Sequence, residues 1–163
     1  MFKSQQIADW FIACNRAELR LEKTQTALTP KDLQQLLFFA QGVSLAVDAT
    51  RLFNESFMVS AQGPVNKTIQ QQYPGDQIPE VQPEIDDARA LQLAQNFEQI
   101  LQRAPRVAEI LNFTWHTFKE CVLTLDDAPW NHATAGTIIK DSAMRKYFLT
   151  SHCVRHIILN DIF

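Results

Sequence analysis

The run from Thr29 to Val47 constrains this fold more than any other stretch. Thr29 is placed to cap a helix, and Pro30 takes the first helical position, where no N–H is needed. Asp32 suits the positive end of the helix dipole. Leu33, Leu36, Leu37 and Ala40 form one stripe, and Phe38, Phe39 and Leu45 widen it beyond a single face. A helix apolar on most sides has to be surrounded by other elements. The pattern predicts a central helix over about 30–47, the best buried in the domain. Gln34 and Gln41 interrupt it. They lie seven positions apart and share a face with Phe38 and Leu45. A buried amide costs about 1–3 kcal/mol for each bond it fails to make. Each glutamine is therefore expected to tie a neighbouring loop's backbone or to await a ligand.

The remaining elements are predicted to wrap round that helix. Ile7, Trp10, Phe11, Cys14 and Ala17 give a helix over about 4–21, with Ser4 as its expected N-cap. Phe53, Phe57 and Val59 alternate, and Gly63-Pro64 marks a turn. A short helix follows over about 66–72. The stretch from Tyr73 to Asp87 holds three prolines and several acids, and reads as a solvated connection or an acidic arm facing a partner. Further helices are predicted from Pro83 or Glu84 to Arg103, from about Arg106 to Thr124, and from about Ala143 to Leu159, the last with Asp141 or Ser142 as its cap. The expected fold is mainly α, a single compact multi-helix domain over 1–163. At most a small two-stranded β element is expected near residues 52–65.

Composition narrows the function classes. Apolar residues make up 46% and charged residues 20% of 163 residues, as in ordinary globular chains. A net charge of −3 argues against a nucleic-acid or anionic-membrane partner, which calls for a basic patch. No run approaches the roughly 18 apolar residues a membrane span needs. A secretory signal is not expected. Cys14, Cys121 and Cys153 are odd in number and widely spaced, which suits reduced thiols in the cytoplasm.

The chemistry-bearing residues form no convincing constellation. His152 and His156 share one helical face at the spacing of a two-histidine metal site, and His116, His132 or Cys121 are the available third ligands. No Glu lies between the pair, and nothing in the spacing calls for a metal, so no cofactor is expected. Cys14 and Cys121 lie in apolar stripes, where burial is expected. Asp86-Asp87 and Asp126-Asp127 fall at helix starts and suit capping better than acid–base work. Trp130, after Pro129, either plugs a groove or marks an exposed anchor.

Several motifs occur in an order that resembles the Panacea domain family of SocA-like antitoxins and phage-associated proteins. Leu33 to Gly42 is similar to its signature helix. Leu52-Phe53-Asn54-Glu55, Gly63-Pro64-Val65, Pro129-Trp130 and Tyr147-Phe148 then follow in the family's order. Ile7 to Phe11 in the first helix is also similar. Gln35 stands where the family carries Lys, and Gln62 where an aromatic usually precedes Gly-Pro-Val. The resemblance implies a non-enzymatic protein-binding domain whose partner is a toxin, engaged directly or delivered to a protease. It implies structural roles for Gln34, Gln41, Gly63, Pro64, Val65 and Pro129. Partner contact is then expected in the loops around 54–62 and 73–84, with Phe57, Gln62, Tyr73 and Trp130 as the candidate residues. A phage- or secretion-associated protein without a toxin, and a metal-dependent enzyme using His152 and His156, are the alternatives.

Overall fold

The computed structural model describes residues 1–22, 25–118 and 128–150. Its described residues form six α-helices and one small antiparallel hairpin. Helix α1 (Ser4–Leu21) buries Ile7, Trp10, Phe11 and Ile12. The chain then turns into α2 (Pro30–Val47), which is the centre of the domain as its pattern predicts. Its start is a reciprocal cap: the Asp32 N–H donates to Thr29 Oγ1 at 3.2 Å, and the Thr29 N–H donates to the Asp32 carboxylate at 2.9 Å. From Leu33 to Ala46 every residue except Gln35 is buried.

Strands β1 (Phe57–Ser60) and β2 (Gly63–Asn66) pair antiparallel, Phe57 opposite Asn66 and Ser60 opposite Gly63. Gly63 has φ +113°, a conformation that favours glycine. The other edge of β1 is covered from far along the chain. The Val59 and Ile139 amides donate to the carbonyls of Thr137 and Phe57, and the Gly136 amide donates to Val59, each at 2.8 Å. Helix α3 (Lys67–Gln72) follows directly, capped by Asn66, whose Oδ1 accepts from the Ile69 N–H.

Helices α4 (Asp87–Arg103) and α5 (Pro105–Phe118) pack against α1 and α2, and α6 (Asp141–Thr150) lies along α2. Aromatic rings fill the junctions. Trp10 stacks on Phe97 with centroids 3.9 Å apart, and Phe38 meets Phe57 and Trp130 edge-on at 5.3 and 5.0 Å. No helix among the described residues is long and apolar enough to cross a membrane.

Three boundaries differ from the sequence expectation. Ser4 is the first helical residue of α1 and not its cap. The Ser4 N–H instead donates to the Glu55 carboxylate at 3.2 Å, and Ser4 Oγ donates to it at 3.0 Å. A carboxylate delivered by the fold opposes the positive helix end more strongly than a local hydroxyl does. Helix α4 begins at Asp87, later than predicted. Ile78 and Val81 are drawn into the core, and the Arg16 guanidinium donates to the carbonyls of Glu80 and Gln82. That grip holds Pro79–Val81 as a 3-10 turn, so helix waits for the Asp86 cap, which accepts from the Ala88 N–H at 2.8 Å. Helix α6 starts at Asp141, two residues early. The expected continuations of α5 past Phe118 and of α6 past Thr150 lie outside the described residues.

Candidate functional site

The amides on α2 close on backbone. Gln34 Nε2 donates to the Asn66 carbonyl at 3.0 Å, and Gln34 Oε1 accepts from the Asn66 N–H at 2.8 Å. Gln41 does the same one loop away, donating to the Phe53 carbonyl at 3.3 Å and accepting from the Leu52 N–H at 2.8 Å. Asn15, which sequence reasoning passed over, repeats the arrangement on α1. Its amide donates to the Thr26 carbonyl and accepts from the Leu28 N–H. Each buried amide thus satisfies its own donor and acceptor together with those of a loop.

A second set of bonds fixes the loop after α3. Arg89 on α4 meets Asp9 on α1 at 2.7 Å and Glu80 at 3.2 Å. The Tyr73 hydroxyl donates to the same Glu80 oxygen at 3.2 Å and accepts from Gln5 Nε2 at 3.1 Å. Burial works against the Arg89 charge, but Asp9 and Glu80 outweigh it and raise its pKa. Burial, and then the negative charge of Glu80, push the Tyr73 hydroxyl up to about 12. Sequence gave no sign of this network, because its members are scattered over 85 positions, from Gln5 to Arg89.

These two clamps frame a solvent-open cleft of about 390 Å³. One wall is the start of α2, with Thr29, Pro30, Lys31, Gln34 and Gln35. The second is the hairpin, with Gln62, Pro64 and Val65. The third is the end of α3 and the turn after it, with Gln70, Tyr73, Pro74 and Asp76. Of the loops around 54–62 and 73–84, the cleft takes Gln62 from the first and the turn from Tyr73 to Asp76 from the second. Gln34 is already bonded to Asn66. Gln35, Gln62 and Gln70 make no side-chain hydrogen bond among the described residues.

The candidate contact residues separate. Gln62 is exposed at the cleft mouth. Tyr73 lines the cleft but is only 3% exposed, its hydroxyl held inside the network, so it can offer no more than a ring edge. Phe57 is 1% exposed and packs on Phe38 and Phe53, which corrects its expected place on a partner surface. The reason is strand alternation: Phe57 and Val59 both face the core. Trp130 is half-buried against Phe38 and fills a groove. Gly63, Pro64 and Val65 lie in β2, and Pro129 is half-buried beside Trp130. Gln35 and Gln70 were missed, since an amide on a polar helix face carries no signal until the fold gathers several of them.

Among the described residues no group of three His, Cys, Asp or Glu side chains is placed to hold a metal. His116 and His132 are exposed and Cys14 is half-buried. His152, His156, Cys121, Cys153, Asp126 and Asp127 lie outside the described residues. Comparison of the chain with family models, with curated proteins and with solved structures found no match.

Proposed function

We propose that this chain is a cytoplasmic, non-enzymatic protein-binding domain of the antitoxin type, which neutralises a partner toxin by direct binding or by presenting it to a protease. The observation that carries the proposal is how the motif residues are used. Gln34 and Gln41 are bonded to backbone, Glu55 caps α1, Gly42 is covered by Phe148, and Trp130 packs on Phe38. The residues that resemble the Panacea family are therefore the frame. The surface left to discriminate a partner is the cleft beside them. Gln35 and Gln62, two positions at which the chain departs from the family pattern, both line it. A rigid frame carrying a variable site is the arrangement expected of a family that meets many partners.

Co-expression with the neighbouring reading frame tests the proposal. The neighbour's product is expected to arrest growth alone, to be tolerated when this chain is present, and to co-purify with it. A harmless neighbour that still co-purifies supports a phage- or secretion-associated interaction protein instead. Stoichiometric metal in the purified protein, together with catalytic turnover, would overturn the non-enzymatic reading.

A further inference from the structure

We propose that the cleft between α2, the hairpin and α3 takes an extended, uncharged segment of a partner protein, held by paired hydrogen bonds between the segment's peptide groups and the side-chain amides of Gln35, Gln62 and Gln70. The inference rests on the protein-binding part of the reading above and specifies how binding occurs.

The chemistry is set out within the chain itself. A primary amide carries both a donor and an acceptor, as a peptide group does, so one glutamine can satisfy the N–H and C=O of a passing backbone together. Gln34 does this to Asn66 with bonds of 3.0 and 2.8 Å. Gln41 and Asn15 do it to two other loops. In all three cases the amide stands in for a neighbouring strand. Gln35, Gln62 and Gln70 carry the same group into one cleft and bond to nothing among the described residues.

The hairpin explains why side chains do the reading. In an antiparallel pair, alternate residues turn their backbone groups away from the partner strand. On β2 those residues are Pro64 and Asn66, since the Asn66 groups meet Gln34. Pro64 has no N–H, and Gln34 already seals Asn66. The Gln62 N–H is taken by Ser60 Oγ at 3.2 Å. A full strand cannot be added to an edge whose outward N–H groups are absent at Pro64, sealed at Asn66 and taken at Gln62. An extended segment can still lie there if amides from the other two walls meet its remaining peptide groups.

Charge and surface fit the same occupant. The cleft's two ionic residues, Lys31 and Asp76, have opposite sign, so it carries no net charge to attract an acidic or basic ligand. Pro30, Pro64, Val65, Pro74 and the Tyr73 ring supply the apolar lining. A neutral main chain with small apolar side chains matches both properties.

Panning a phage-displayed random-peptide library on the intact protein tests this. Uncharged peptides are expected to be enriched. Their affinity should fall by about tenfold or more in a variant carrying Gln35→Met, Gln62→Met and Gln70→Met, the loss of one or two net hydrogen bonds. All three positions are half-buried or exposed, so the variant should keep the wild-type melting temperature. If it does not, the single variant Gln70→Met carries the same comparison. The inference is overturned if no peptide is enriched, if the peptides bind variant and wild type equally, or if only charged peptides bind and Lys31→Ala or Asp76→Ala abolishes binding. Toxin neutralisation is scored separately. Neutralisation that survives the triple variant removes the cleft and leaves the antitoxin reading. Peptide binding without any toxin does the reverse.

Discussion

Phe148 on α6 lies so close over Gly42 on α2 that a Cβ at position 42 would sit 2.1 Å from its Cε2. The obstacle is a ring that is itself fully buried against Phe38 and Phe39. Gly42→Ala is therefore expected to destabilise the domain by about 1–3 kcal/mol through overpacking. Gly75→Ala, with nothing within 4 Å and no positive φ, should change stability little. Chemical denaturation of the two variants reads the difference, and equal midpoints would refute the close packing.

Gln34→Leu leaves the Asn66 N–H and carbonyl buried without partners. A loss of about 2–4 kcal/mol is expected for the two groups. Gln35→Leu, one position away and unbonded, should stay within about 0.5 kcal/mol of wild type. Thermal melts of the pair separate a structural amide from a free one. Comparable losses would show that both amides hold the fold.

Arg89→Met leaves Asp9 and Glu80 in the interior without their shared cation. Both carboxylates are nearly buried, at 5% and 8% exposure, so roughly 3 kcal/mol of stability should be lost. Adding Asp9→Asn and Glu80→Gln to the same chain should restore much of it, because the damage is uncompensated charge. A triple variant no more stable than the single one would mean that the guanidinium acts by packing.

Tyr73 links stability to alkaline pH. Its hydroxyl titrates near 12 in the folded chain against 10 when free. The folded state thus favours the neutral form. Its contribution is complete below pH 10 and declines as the pH rises from 10 towards 12, where the unfolded chain ionises first. In a Tyr147→Phe background Tyr73 is the one tyrosine left, so its absorbance titration can be read directly. A midpoint near 10 would contradict the buried bond to Glu80. Tyr73→Phe should flatten the fall in stability between pH 10 and 12.

Local signals in the sequence were enough for the span of α1 and for both the span and the cap of α2, whereas the carboxylate that meets the start of α1 comes from Glu55, 51 positions beyond Ser4. The need of Gln34 and Gln41 for backbone partners was legible too: an amide on an apolar face must be satisfied. The late start of α4 was not, because its cause is Arg16, far back on α1, holding two carbonyls. Phe57 shows a different failure. Its alternation with Val59 was visible, but which face of the hairpin meets the core is decided by Phe38 and the segment 136–139. The cleft was half legible. Gln62 and Tyr73 belong to the loops where partner contact is expected, while Gln35 and Gln70 join them only because α2 and α3 converge there.

The bonds from Gly136, Thr137 and Ile139 to β1 bear on how the chain comes off the ribosome. A chain is made N-terminal end first, and a domain generally folds as a unit. Here α2 is made early, yet Trp130 and Phe148 are synthesised about a hundred positions after the Phe38 face they cover. Until then that face, Gly42 and the free edge of β1 stand open. A nascent chain stalled before Trp130 would leave uncovered an apolar surface that the folded domain hides beneath Trp130 and Phe148.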